Sequence, residues 1–343
     1  MTFEFYEKNF RIKAYKAGYS EDDIQKCLAY AKPLIENRLP VIYNTANLSA
    51  LVGYNKYYLK KAALFTKSFY RKFTIKKKTG KLRYLNEPLP SLKEIQIWIL
   101  NDILYSVPVS KFAKAYIRKR NIVDNVRFHR NKEKVVSLDI ENFFSSIRRT
   151  SIENVFKKLG YSSNVSNLLS KLCCCDDILP QGAPTSPYLS NIYLCDFDKT
   201  ISQYCLQSNI RYTRYADDLT FSGEFDESKL IKYVENELSR YQLRLNKDKI
   251  KVMGQNDRQI VTGLVVNKII QISKDERNEI RQEIYYLKRF GLSEHLLRTN
   301  NNKSNYISHL LGKINYAIYI NPNDKDMIEY KSYIYEKYIK DVN

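Results

Sequence analysis

Residues 211–223 read RYTRYADDLTFSG, and the rest of the chain is best understood outward from them. Tyr212, Thr213 and Tyr215 on one side, and Thr220 and Phe221 on the other, are aromatic or β-branched residues that favour strands. Ala216, Asp217 and Asp218 interrupt them with turn chemistry, so the stretch predicts a β-hairpin. Two adjacent carboxylates in a tight turn repel one another unless a cation neutralises them. Asp also favours turns for conformational reasons, so the pair by itself has a plain structural explanation. Residues 135–139, VVSLD, change the balance, because they form a short apolar strand that ends on a third acid, Asp139. Three carboxylates gathered from neighbouring strands would hold two Mg2+ ions, which clamp the attacking and leaving oxygens of phosphoryl transfer.

The flanking sequence predicts helices and antiparallel hairpins in mixed order, an α+β architecture and not a doubly wound parallel sheet. Ser20, followed by Glu21, Asp22 and Asp23, is a helix N-cap with acids at the positive end of the dipole. A second amphipathic stretch runs over about 48–69. Alternating residues 70–75 and 81–85 flank Lys78-Thr79-Gly80 as a hairpin that Pro88 and Pro90 end. Residues 151–172 predict a helix, a Pro/Gly-punctuated loop at 179–185 leads into another from Ser186, and VTGLVVN at 261–267 predicts a short strand. From Lys274 onward the chain predicts three or four helices rich in Tyr and Lys.

The 343 residues carry 57 Lys and Arg against 37 Asp and Glu, a formal charge of +20. An AT-rich coding bias would spread that excess evenly, yet about +12 of it falls in residues 71–134, which points to an anion-binding surface there. A hydrophobic content of 44% excludes a disordered basic tail. No apolar run is long enough for a membrane span or signal core, so a cytoplasmic protein without a membrane partner is expected. Six cysteines, three of them consecutive at Cys173, Cys174 and Cys175, are expected to be reduced and packed.

Tyr215-Ala216-Asp217-Asp218 resembles the Y-x-D-D motif of reverse transcriptases, VVSLDIENFFSSI resembles their motif A, and LPQGAPTSP at 179–187 resembles their motif B. The resemblance covers roughly residues 70–320 and implies a right-hand polymerase fold. Its parts would be a helical extension over 1–70, basic fingers over 71–134, a palm with interleaved finger helices over 135–270 and a helical thumb over 271–343. It also implies an RNA-directed DNA polymerase in which Asp139, Asp217 and Asp218 bind two Mg2+ ions. Phe144 falls where the family keeps an aromatic gate against the ribose 2'-OH. Gln181, Gly182 and Ala183 would lie beneath the incoming deoxynucleoside triphosphate, where small residues permit close backbone approach. Arg83 and one of Lys76 or Lys77 match residues that grip the triphosphate. Lys249 resembles the motif D lysine, a proton donor to pyrophosphate.

Asn125-Val126-Arg127-Phe128-His129 is similar to the N-A-x-x-H signature of bacterial retron reverse transcriptases, with Val in place of Ala, and Val261-Thr262-Gly263 matches their V-T-G signature. The length leaves no room for an RNase H domain or the extensions of many group II intron proteins. This resemblance implies a cognate structured noncoding RNA as template, priming from an internal guanosine 2'-OH, and a branched RNA-linked single-stranded DNA (msDNA). It further implies an effector protein and a role in antiphage defence, with Asn125, His129, Val261, Thr262 and Gly263 in RNA recognition. His129 has a second explanation, a plain hydrogen bond to a backbone carbonyl, and the V-T-G segment could be merely a strand edge. Two other functions compete: an intron-type or abortive-infection reverse transcriptase, and a nonpolymerising RNA-binding scaffold, which would have no need of a repulsive acid cluster.

Overall fold

The structure, a computed structural model, describes residues 2–76, 80, 82–299 and 305–339. Helices Phe3–Lys16 and Glu21–Glu36 open the chain, the second capped by the Ser20 side chain accepting from the Asp23 amide. The amphipathic stretch at 48–69 is two helices, Thr45–Val52 and Lys56–Leu64, and not one. Gly53 ends the first with φ +75°, a conformation that costs glycine little, and Asn55 caps the second. The region 151–172 divides in the same way into Arg149–Lys158 and Ser163–Cys173, parted at Gly160 (φ +101°) and restarted by the Ser162 cap.

Strands β1 (Tyr70–Lys76) and β2 (Leu82–Pro88) pair antiparallel with Tyr70 opposite Pro88 and Lys76 opposite Leu82, as the alternation predicts. Among its described residues only the base of this hairpin is buried; beyond Tyr70, β1 is exposed along its length. Its charged arms therefore project from the body of the protein.

A four-stranded antiparallel sheet in the order β4-β5-β3-β6 is built from β3 (Lys134–Asp139), β4 (Arg211–Tyr215), β5 (Asp218–Gly223) and β6 (Lys251–Met253). Leu219, Thr220, Phe221 and Ser222 of β5 are all buried. Successive strand residues point to opposite faces, so both faces of the sheet are covered. The covering differs on the two sides of β3. Val136 and Leu138 join a large core that runs from Leu34 to Leu245, whereas Val135 joins a second core with Met253 and the C-terminal helices. This sheet stands between the two cores, and the acid at the end of β3 is anchored from both.

The V-T-G segment is a hairpin of two short strands, β7 (Ile260–Val261) and β8 (Leu264–Val265), and not the single strand predicted. Thr262 (φ +47°) and Gly263 (φ +89°) form its turn, and positive φ at both central residues suits the right-handed twist of a two-residue hairpin. The C-terminal helices are Lys274–Arg298, kinked at Gly291, then Tyr306–Ile320 and Lys325–Tyr338. Among the described residues no helix is long and apolar enough to cross a membrane. The six cysteines are free, and Cys173, Cys174 and Cys175 are buried, as expected.

Candidate active site

The antiparallel register sets Asp139, the last residue of β3, opposite Asp218, the first of β5. Asp217 sits in the turn beside them, and its carbonyl accepts a hydrogen bond from the Ile140 amide at 3.0 Å. The turn is strained: Ala216 has φ +59°, a left-handed conformation that an alanine adopts only when its surroundings impose it. Arg214 imposes it. Its guanidinium has no exposed surface, grips Asp198 through Nε (2.8 Å) and Nη2 (2.7 Å), and uses Nη1 to donate to the Ala216 carbonyl (3.2 Å) and to Asn191 Oδ1 (3.0 Å). Tyr212 donates its hydroxyl to the same Asp198 oxygen at 2.8 Å. The planar fork of an arginine can meet this set of acceptors at once, and the point charge of a lysine cannot.

The acids conflict electrostatically. Burial and then the charges of Asp217 and Asp139 push the Asp218 carboxyl up to about 7, and burial with the Asp139 charge also raises Asp217. Asp139 has a different answer, because the Lys249 ammonium donates to both of its oxygens, at 2.8 and 2.9 Å. Burial pulls the Lys249 pKa down, but the hydrogen bonds to Asp139 and the charges of the three acids outweigh it and leave it raised. The Asn246 amide, donating to the Asp139 carbonyl at 2.8 Å, brings the lysine-bearing segment to the end of β3. Among the described residues no three His, Cys, Asp or Glu side chains close around a common point.

The other residues singled out in the sequence fall partly around these acids. Phe144 is half-buried, its ring 5.2 Å from that of buried Phe143. Arg83 lies exposed on β2 opposite Ile75, and its charge lowers the Asp217 pKa. Lys76 is exposed at the end of β1; Lys77 lies outside the described residues. The motif B loop is pinned to the same hairpin, since the Asn86 amide of β2 donates to the Gln181 carbonyl at 2.8 Å. Gly182 is required by that contact: a Cβ there would stand 2.8 Å from the Asn86 carbonyl oxygen, and φ is +124°. Its close approach is thus to β2. The Ala183 side chain is buried beside it.

Direct RNA contact by Asn125, His129 and Val261 is corrected by their burial, since none has a side chain at the surface. His129 Nδ1 meets Ser222 Oγ and Nε2 meets Thr213 Oγ1, each at 2.7 Å. Thr213 in turn donates to Asn125 Oδ1 at 2.7 Å, and Asn125 Nδ2 donates to Thr262 Oγ1 at 3.4 Å. The two signature segments are therefore joined through one buried polar chain that grips β4 and β5, leaving Gly263 exposed at the tip.

Burial pushes the His129 imidazole down to about 3, with Lys132 and Lys114 adding to the fall. A depressed histidine contributes stability in full above its unfolded pKa of about 6.5 and loses it as pH falls toward the folded value. His129→Ala is expected to lower stability at pH 7.5 by about 1–3 kcal/mol for each hydroxyl left unpartnered. In chemical denaturation that deficit should shrink between pH 6.5 and 4. A variant as stable as the parent that loses RNA binding would instead restore a direct contact. The Asp218 carboxyl has the opposite sign. Its raised pKa makes the folded state bind the proton more tightly, so stability falls as pH rises from the ordinary 3.8 through about 7. Asp218→Asn should raise the melting temperature in chelator-treated buffer at pH 8, with the gain vanishing below pH 4. An equal gain at both pH values would contradict the electrostatic cause.

The sequence profile of the family described as reverse transcriptase (RNA-dependent DNA polymerase) matches residues 75–309. Retron Ec86 reverse transcriptase of Escherichia coli is 30% identical over 310 residues, which cover 88% of this chain and 92% of that one. Retron Ec83 reverse transcriptase, also of Escherichia coli, is 30% identical over 282 residues, covering 76% and 86%. A telomerase structure from Candida albicans, solved with a fragment of telomeric RNA, aligns over 78% of this chain and 60% of that one, at 12% identity and a TM-score of 0.44. The match to the Ec86 enzyme runs nearly end to end in both proteins, and the profile takes in β2, the motif B loop and the acid turn. This chain therefore belongs to the retron reverse transcriptases, RNA-directed DNA polymerases of the right-hand fold.

Proposed function

We propose that this enzyme copies its own structured noncoding RNA, beginning at the 2'-OH of an internal guanosine, into single-stranded DNA that stays branched to the RNA. The observation that carries the proposal is the meeting of Asp139 with Asp218 across β3 and β5, with Asp217 in the adjoining turn, in a chain matched by retron enzymes along most of its length. The donor chemistry suits Mg2+: three hard carboxylate oxygen donors, two of them held at raised pKa by burial and mutual charge, form a set that a divalent cation would relieve. Asp139, Asp217 and Asp218 would hold two such ions once Lys249 leaves Asp139. When bound, the ions would favour ionisation of the attacking hydroxyl and offset charge on the departing pyrophosphate.

The chain's own residues supply the rest. Lys249 Nζ, kept protonated by the acids around it, would carry the proton passed to pyrophosphate. Arg83 and one of Lys76 or Lys77 would draw the triphosphate toward the acids, and Phe144 would stand against a ribose 2'-OH. Gln181 would face the nucleotide, with Gly182 and Ala183 fixing its loop to the fingers. The turn at Thr262 and Gly263 would meet RNA, supported from behind by Asn125, His129 and Val261. Structured RNA is read largely through its shape and 2'-OH groups, which suits an exposed turn more than buried amides. We assign 1–70 to a helical extension, 71–134 to basic fingers, 135–270 to the palm and 271–343 to the thumb. An effector protein and a place in antiphage defence complete the proposal.

Asp217→Asn is expected to reduce Mg2+-dependent DNA synthesis on the cognate RNA by at least about a thousandfold, by removing a carboxylate that would hold the ions. RNA affinity, measured by filter binding, should change little. Extension products of the parent enzyme should resist separation from RNA by heat and yield to a debranching nuclease. Linear DNA alone would refute 2'-OH priming, and retained synthesis by Asp217→Asn would refute the site.

A further inference from the structure

One residue near the acids has no counterpart among the motifs. Tyr116 has φ +62°, a conformation that a bulky aromatic residue rarely adopts, and it keeps 46% of its surface exposed. A tyrosine that merely covered the surface would gain nothing from this backbone. Its placement follows from the same buried network that strains Ala216. Residues 112–116 run beside β4: the Arg214 amide donates to the Phe112 carbonyl (2.9 Å), the Lys114 amide donates to the Arg214 carbonyl (2.8 Å), and Ala113 bridges Arg214 in parallel. Asn191 accepts from Arg214 through Oδ1 and donates through Nδ2 to the Ala115 carbonyl at 2.9 Å. Arg214 and Asn191 thus hold the residue before Tyr116 and the residue before Asp217 in one hydrogen-bonded unit.

The Tyr116 ring lies 6.4 Å from the ring of Phe144, tilted by 49°. Burial raises the pKa of its phenol, the charges of Asp217, Tyr215 and Asp218 raise it further, and that of Arg83 lowers it, so the hydroxyl lies within the electrostatic reach of the acids and of the arginine assigned to the triphosphate. We propose that Tyr116 is a second specificity-determining residue of the nucleotide pocket, its ring backing Phe144 against the sugar 2'-OH and its hydroxyl meeting the incoming deoxynucleoside triphosphate. This rests on the placement of that pocket between Phe144, Arg83 and the acids. The strained backbone at Tyr116 is thus the cost of holding its ring against Phe144.

Single-nucleotide incorporation on an RNA template, with deoxy- and ribonucleoside triphosphates, tests it. Tyr116→Gly should lower the ratio of kcat/KM for deoxy- over ribonucleotides by about tenfold, the scale of one steric contact. Its melting temperature should be unchanged or higher, because glycine accepts φ +62° without strain. Tyr116→Asn, whose residue type also tolerates a left-handed backbone, should do the same. Tyr116→Phe should keep the ratio and raise KM for the deoxynucleotide. The proposal is overturned if Tyr116→Gly and Tyr116→Asn hold the ratio within about twofold of the parent. It is also overturned if both melt lower, which would make Tyr116 a packing residue. Phe144→Ala separates the two ideas: relaxed discrimination there with none at Tyr116 refutes Tyr116 alone, and no change in either refutes the pocket.

Discussion

The buried ion pair between Arg214 and Asp198 is the interaction on which the rest of the site depends. Neither side chain has any exposed surface, so their charges are far from water and must satisfy each other. The pair is costly as a source of stability, because well-packed apolar residues can replace such a pair with little loss. Its value is geometric. A guanidinium that has committed Nε and Nη2 to a carboxylate has a fixed plane, and Nη1 is then aimed at the Ala216 carbonyl and at Asn191. From that plane follow the left-handed turn at Ala216, the position of Asp217 and Asp218, and the path of the segment that ends in Tyr116.

A second constraint is the conflict among the acids. Strand register brings Asp139 and Asp218 together whatever their charge, because β3 packs apolar side chains into both cores and β5 packs Leu219 and Phe221 into the first. The protein lives with the repulsion in two ways, by weakening the acidity of Asp217 and Asp218 and by setting an ammonium on Asp139. Packing energy gathered over the whole sheet outweighs the local cost, and the site stays poised for cations. Meanwhile positive charge from the β1–β2 hairpin reaches the acids, since Arg83 lowers the Asp217 pKa.

Much of this was legible in the sequence for physical reasons. The hairpin at 211–223, the strand ending on Asp139 and the cap at Ser20 follow from local chemistry, which acts within a few residues. The broken helices at Gly53 and Gly160 were missed because amphipathic periodicity continues across the break. The rest depends on tertiary contacts that no local pattern carries. Gly182 reads as a ligand-facing glycine, yet its missing side chain is needed by the Asn86 carbonyl of a distant strand. Asn125 and His129 read as RNA contacts only through the resemblance to the retron signature; here the loop folds its polar chain inward onto Thr213 and Ser222. Arg214 looks like a surface residue of a hairpin, and nothing nearby in sequence announces Asp198 as its partner. Tyr116 lacked any signal, since a positive φ at a tyrosine cannot be read from residue type.

The claim that the Arg214 network sets the acid turn is tested most directly by removing both charges together. In Arg214→Met/Asp198→Asn, the asparagine still accepts from Tyr212 and no unpaired charge is left inside, so the double variant should stay folded, with a melting temperature within a few degrees of the parent. Single-turnover primer extension on RNA is the measurement. A loss of about a hundredfold or more in the rate of nucleotide addition is the predicted result, since small displacements of reacting groups cost that much. A folded double variant that extends primers at the parental rate would contradict the account.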